Sequence, residues 1–120
     1  MRQAAKIEFT LPWPQKGLSP NSRNHWAKTA QLKKQLRDAW WAQALAQGAT
    51  KLPGEPLTVS LTFYPPDRRR RDMDNMLSAC KAGLDGLADA IGVDDSKWTL
   101  KIAKSEEIGG YVKVSIEKTA

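Results

Sequence analysis

The chain of 120 residues is 41% hydrophobic and 27% charged, with a formal net charge of +6 and a sequence pI near 9.6. That length suits one domain over residues 1–120 with a single modest core, and the basic excess points to a polyanionic partner, nucleic acid before others. No apolar run approaches the roughly 18 residues of a membrane span, and Met1-Arg2-Gln3-Ala4-Ala5-Lys6 lacks a signal peptide's apolar segment, so the expectation is a cytoplasmic protein without a membrane partner.

Lys6 to Leu11 places Ile7, Phe9 and Leu11 on one face, which predicts a short strand stopped by Pro12 and Pro14. A loop rich in Pro, Gly, Ser and Asn follows to about Arg23. Asn24 to about Gln47 reads as a long helix, with Trp26, Ala30, Leu36, Trp40 and Ala44 as its apolar face and Lys28, Lys33, Lys34 and Arg37 making much of the rest basic. Gly48 and Pro53 end it. Val59, Leu61 and Phe63 alternate with polar neighbours up to Tyr64, a second strand closed by Pro65-Pro66.

A second helix starts between Asp72 and Asp74, with an apolar stripe of Met73, Met76, Leu77, Cys80, Leu84, Leu87 and Ile91. Trp98 to Lys104 and Tyr111 to Lys118 are two further strands, and Gly109-Gly110 between them signals a hairpin turn. The expected fold is α/β (α+β), in the order β-α-β-α-β-β, with a mixed sheet packed by two main helices. Trp40 and Trp41 cannot both face one core, so one of them is expected at a subunit or nucleic-acid interface. Trp26 and Trp98 are expected in the core, and His25 is expected to be structural.

The chemistry concentrates at Arg68-Arg69-Arg70-Arg71-Asp72-Met73-Asp74-Asn75. Four guanidinium forks suit phosphate oxygens, and two carboxylates suit a divalent cation. One cysteine, Cys80, and one histidine cannot build a zinc cluster, so any metal is a hard cation on oxygen ligands. Inside a helix, carboxylates two residues apart point ~200° away from each other. In extended chain they share a side, ~6.6 Å apart. A shared metal therefore requires Asp72 in extended chain and Asp74 at or near the helix N-cap. The alternative makes Asp74 a cap and Asp72 the partner of a neighbouring arginine.

Asp74, Ser78, Lys81 and Asp85 recur at helical spacing on one polar face. Lys81, ~10.5 Å along the axis from Asp74, can reach toward a phosphate held there or pair with Asp85. Asp94-Asp95 follows the helix, either as further metal ligands or as a turn in which an aspartate bonds nearby backbone amides.

Taken together these residues resemble the RusA family of Holliday-junction resolvases, in its phage-type branch. The resemblance covers nearly the whole chain. It rests on Leu11-Pro12-Trp13-Pro14, on Ser19-Pro20-Asn21-Ser22-Arg23-Asn24-His25-Trp26, and above all on Asp72-Met73-Asp74-Asn75 after the arginines. Lys81-Ala82-Gly83-Leu84-Asp85-Gly86-Leu87 and Val93-Asp94-Asp95-Ser96 complete it.

The resemblance implies a homodimeric endodeoxyribonuclease, dependent on Mg²⁺ with Mn²⁺ as a substitute and without a small-molecule cofactor. Its substrate would be four-way junction DNA, resolved by paired symmetric nicks in recombination and repair. Asp72, Asp74 and Asp95 match the metal-binding carboxylates. Lys81 stands one helical turn beyond the family's lysine position, which Ser78 occupies here, and keeps the spacing to Asp85. Arg68, Arg69, Arg70 and Arg71, with Lys33, Lys34 and Arg37, are the expected DNA contacts. Two other functions fit the same residues: a non-catalytic nucleic-acid-binding protein, and a metal nuclease acting on flap or single-stranded DNA.

Overall fold

Apolar side chains at alternate positions of three strands build the floor of the core. In a computed structural model that describes residues 6–19, 22–23 and 25–119, β1 (Lys6–Pro12) buries Phe9 and Leu11, β2 (Leu57–Tyr64) buries Leu57, Val59, Leu61 and Phe63, and β4 (Tyr111–Lys118) buries Val112, Val114 and Ile116. The fourth strand, β3 (Trp98–Lys104), is weakly buried. The strands form one mixed sheet in the order β1-β4-β2-β3, with β2 and β3 parallel and the other pairs antiparallel.

The expected β3–β4 hairpin does not form. β3 and β4 flank β2 on opposite sides, and Gly109 and Gly110 cross the end of β2 instead, donating backbone N–H groups to Pro65 and Tyr64 oxygens at 2.8 and 2.6 Å. Burial explains the order. β4 presents three fully buried residues and takes a central position, whereas β3 carries Lys101, Lys104 and a 38% exposed Leu100, which suit an edge. Gly110 supplies the positive φ of +82° that this crossing requires.

Two helices cover the apolar face of the sheet. In α1 (Trp26–Ala46), Leu32, Leu36, Trp40 and Ala44 are buried at spacings of four. Trp26, expected in the core, is 76% exposed, because the helix begins beyond the edge of the packed layer and its first buried residue is Leu32. α2 (Met73–Ile91) buries Met76, Cys80, Leu84, Leu87 and Ile91, with Met73 and Leu77 packed at the margin, and ends at Gly92 in the left-handed conformation. Of the two neighbouring tryptophans, Trp40 is fully buried and Trp41 is 45% exposed.

The helices approach closely where Gly83 lies against the Trp40 indole and Gly86 against the Arg37 backbone. Trp98, expected in the core, lies partly buried at its edge and donates its indole N–H to the Val93 oxygen at 3.2 Å. The buried side chains belong to one hydrophobic core. Two short 3₁₀ turns complete the described chain: η1 (Lys16–Leu18) after β1 and η2 (Asp95–Lys97) before β3. Pro20, Asn21 and Asn24, part of the segment before α1, and the N-terminal residues 1–5 lie outside the described residues. Among the described residues no helix is long and apolar enough to cross a membrane.

Candidate nucleic-acid and metal site

Pro65-Pro66 stops β2, and the chain turns through Asp67 to the arginine run before α2 begins. This turn and the loop after β1 wall a cleft of about 630 Å³. Its lining includes Trp13 and Lys16 on one side, Arg69, Arg70 and Arg71 on another, and Asp72, Asn75 and Met76 of the α2 start. The arginines and the first aspartate thus share one concave surface.

Asp72 is the N-cap residue of α2, with extended backbone at φ −88° and ψ 142°, and Met73 after it is already helical. Its side chain makes no capping hydrogen bond and no ion pair among the described residues. A carboxylate at a helix N-terminus that caps nothing keeps its oxygens available while the helix dipole favours its charge. Asp74 lies in the first turn of α2, exposed, with Oδ1 accepting from the Asn75 N–H at 3.0 Å.

The arginines divide. Arg71 has a side chain only 18% exposed, donates to the Asp67 carboxylate at 2.8 Å and to the Asp67 and Arg69 carbonyls, and lies over the Trp13 ring at 5.6 Å. It holds the loop and is not free to grip phosphate. Trp13 in turn meets Phe63 edge-on, 6.2 Å between ring centroids, tying the loop to the sheet. Arg68, Arg69 and Arg70 are exposed, and their guanidinium groups have no acidic partner among the described residues.

Asp67 is a loop-holding residue that reading the sequence missed. Its Oδ1 accepts from the Arg69 backbone N–H at 2.9 Å, and the hydrogen bonds from Arg71 and Arg69 hold its carboxyl below the ordinary value of 3.8. The signal was present as an aspartate directly after Pro65-Pro66, a common turn residue that bonds the backbone two residues on.

The remaining expected residues are dispersed. Lys81 is exposed on the α2 polar face, with no ion pair to Asp85 or Asp74 among the described residues. Asp94 adopts the turn reading: it accepts from the Ser96 N–H at 3.0 Å, and hydrogen bonding by the Ser96 side chain first, then by that N–H, lowers its pKa. Asp95, in η2, is exposed, and its carboxylate has no ion pair among the described residues.

Asp95 does not join Asp72 and Asp74 within one chain. All nineteen residues of α2 lie between Asp72 and Asp95, a helix ~28 Å long at 1.5 Å per residue. Accordingly, among the described residues no group of three or more His, Cys, Asp or Glu side chains could hold a metal. The free Asp72 carboxylate and Asp74 two residues on still suit a magnesium ion, which commonly takes one or two carboxylates and fills its other positions with water and phosphate oxygens. Cys80 is no ligand or nucleophile; burial pushes its thiol up to about 12.

On α1, Lys33 is exposed and unpaired, while Lys34 donates to Asp38 at 2.9 Å and Arg37 pairs with Asp89 of α2. The basic face therefore offers fewer free cations than the sequence contains.

No protein-family model matches the chain. It is similar to an uncharacterized protein of Xylella fastidiosa strain Temecula1, with 40% identity over 115 residues, covering 90% of this chain and 74% of that protein. At that identity and coverage, the chain belongs to the same family as the Xylella protein.

Proposed function

We propose that the chain is a Mg²⁺-dependent endodeoxyribonuclease of the RusA type, acting in the cytoplasm on four-way DNA junctions as a homodimer. The observation that carries this reading is Asp72: an uncapped, unpaired carboxylate in extended chain, on the wall of a cleft that also carries Arg69 and Arg70. Packing does not call for an uncommitted acid beside uncommitted arginines, whereas a phosphodiester with its metal uses both.

In this reading Asp72 and Asp74 hold Mg²⁺, or Mn²⁺ in its place, and Arg68, Arg69 and Arg70 hold the DNA backbone around the scissile phosphate. Bound there, the ion lowers the pKa of an attacking water and polarises the phosphoryl group. Lys81, exposed on the same helix and without a carboxylate partner among the described residues, adds positive charge on the side where the reacting phosphate carries its extra negative charge. The Arg71–Asp67–Trp13 assembly keeps the arginine loop in place against the α2 N-terminus.

The distance between Asp72 and Asp95 favours a dimer. A two-fold axis passing beside α2, perpendicular to it near its middle, would set two copies of the helix antiparallel and bring the partner's Asp95 toward Asp72 and Asp74. Each active site is then completed by the other subunit. Two such sites, related by symmetry, match paired nicks in a two-fold junction.

A binding-only protein is the second reading, favoured by Asp94, whose carboxylate serves a turn, and by Asp74, which bonds its own helix start. Labelled junction, duplex, flap and single-stranded DNA incubated with the protein and Mg²⁺ separate the possibilities. Paired nicks in the junction alone are the expected result. No cleavage of any substrate would favour the binder, and flap cleavage above junction cleavage would favour a nuclease of different selectivity.

A further inference from the structure

Trp26 is 76% exposed, the most exposed of the large hydrophobic side chains. An indole left in water at the start of a 21-residue helix gains nothing from the core. It is not isolated, however. The His25 ring lies against it, 5.6 Å between centroids and tilted by 34°, and His25 is itself fixed as the N-cap, Nδ1 accepting the Ala27 N–H at 3.3 Å. The indole is thus presented on a supported, aromatic base.

The chain on either side of it carries one sign of charge. Between Glu8 and Asp38 the sequence contains no acidic residue and six cations: Lys16, Arg23, Lys28, Lys33, Lys34 and Arg37. Arg23, Lys28 and Lys33 are exposed and have no ion pair among the described residues. The patch also adjoins the cleft. Ser22 lines the cleft, and Trp26 follows four residues later, at most ~14 Å away along the chain. An aromatic plate among free cations, beside a polyanion cleft, fits a nucleobase whose flanking phosphates meet the cations. It does not fit a paired duplex, whose base faces are covered by stacking.

We propose that Trp26, supported by His25, stacks on an unpaired or unstacked base of the DNA bound in the cleft, and so selects strand discontinuities over continuous duplex. This rests on the nuclease reading above and adds to it the group that recognises branch structure. Trp26 is a binding residue in this account, remote from the reacting phosphate.

The test compares wild type, Trp26→Ala and Trp26→Phe on a four-way junction carrying 2-aminopurine at the branch point, and on a continuous duplex of the same sequence. Binding is followed in calcium to suppress cleavage, and cleavage in Mg²⁺. Trp26→Ala is expected to bind the junction about tenfold more weakly, the scale of one lost base–aromatic stack, and to leave duplex binding unchanged. The 2-aminopurine emission should change with wild type and Trp26→Phe but not with Trp26→Ala.

Equal junction affinity for wild type and Trp26→Ala overturns the proposal, and if wild type still cleaves the junction, the nuclease reading survives that result. Wild type that neither binds nor cleaves any DNA overturns both. A change of oligomeric state in DNA-free Trp26→Ala, by light scattering, also overturns the proposal and makes Trp26 a subunit contact.

Discussion

The Arg71 guanidinium donates to the Asp67 carboxylate at 2.8 Å while lying over the Trp13 ring, so the last of the four arginines faces inward. Arg70, beside it, is exposed and without an acidic partner. Two neighbouring arginine substitutions should therefore have different consequences. Arg70→Ala should weaken DNA binding and reduce the slope of log affinity against log salt by about 0.9, one duplex phosphate, with an unchanged melting temperature. Arg71→Ala should lower the melting temperature, because it releases Asp67 and uncovers Trp13. Anisotropy titrations across salt and thermal melts of both variants check this, and matching effects from the two would contradict it.

The Asp67 carboxyl is held below its ordinary 3.8, first by the Arg71 hydrogen bond and then by the Arg69 N–H. A depressed carboxylate stabilises the fold above the unfolded value, and that contribution is lost as pH falls through the folded value. Wild type should therefore lose stability on acidification below about 3.8, and Asp67→Asn should be less stable at neutral pH with a flatter acid limb. Asp94, depressed by its hydrogen bonds from Ser96, shifts the same way. Melting temperatures measured from neutral pH into this acid range provide the check; an unchanged acid limb in Asp67→Asn would contradict it.

The α1–α2 crossing should be intolerant of added volume. A Cβ on Gly83 would stand 2.5 Å from the Trp40 ring, and one on Gly86 would meet the Arg37 carbonyl oxygen well inside van der Waals contact. Alanine gains about 1 kcal/mol of helix propensity over glycine, yet overpacking costs about 1–3 kcal/mol. Gly86→Ala should be the worse of the two, since it meets backbone and not a side chain that can turn, and should lower the melting temperature by roughly 10 °C. A melt in which Gly86→Ala is more stable than wild type would contradict this packing.

Much of this arrangement was legible in the sequence. The helix start between Asp72 and Asp74 and the stripe from Met73 to Ile91 defined α2. The β3–β4 hairpin misled because a Gly-Gly pair marks any sharp reversal, while strand neighbours depend on which strands bury both sides of their ladder. Trp26 misled because its spacing matches the apolar face of α1, but periodicity does not say where the layer beneath the helix ends. Asp67 was not legible as an anchor because an aspartate after Pro-Pro suits any turn, and only the folded loop shows Arg71 returning to it. Helix length sets the ends of α2 ~28 Å apart, but only tertiary placement shows that the turn after it does not carry Asp95 back to Asp72 and Asp74.

If each active site takes Asp72 from one subunit and Asp95 from the other, two inactive variants should complement. Asp72→Asn and Asp95→Asn homodimers should each fail to cleave. Their mixed dimer has one site with both carboxylates and one with neither, so it should nick one strand of a junction without making the paired second cut. Gel assays after subunit exchange read this directly. Two sites built each within one chain would remain dead in every mixture.

The most direct measurement is cleavage of a synthetic four-way junction in Mg²⁺ by wild type and Asp72→Asn, with junction binding followed in parallel. The account predicts paired nicks by wild type and none by Asp72→Asn, while the variant binds the junction as tightly or more tightly, having lost a negative charge that faces phosphate. Full cleavage by Asp72→Asn, or no cleavage by wild type, would contradict it.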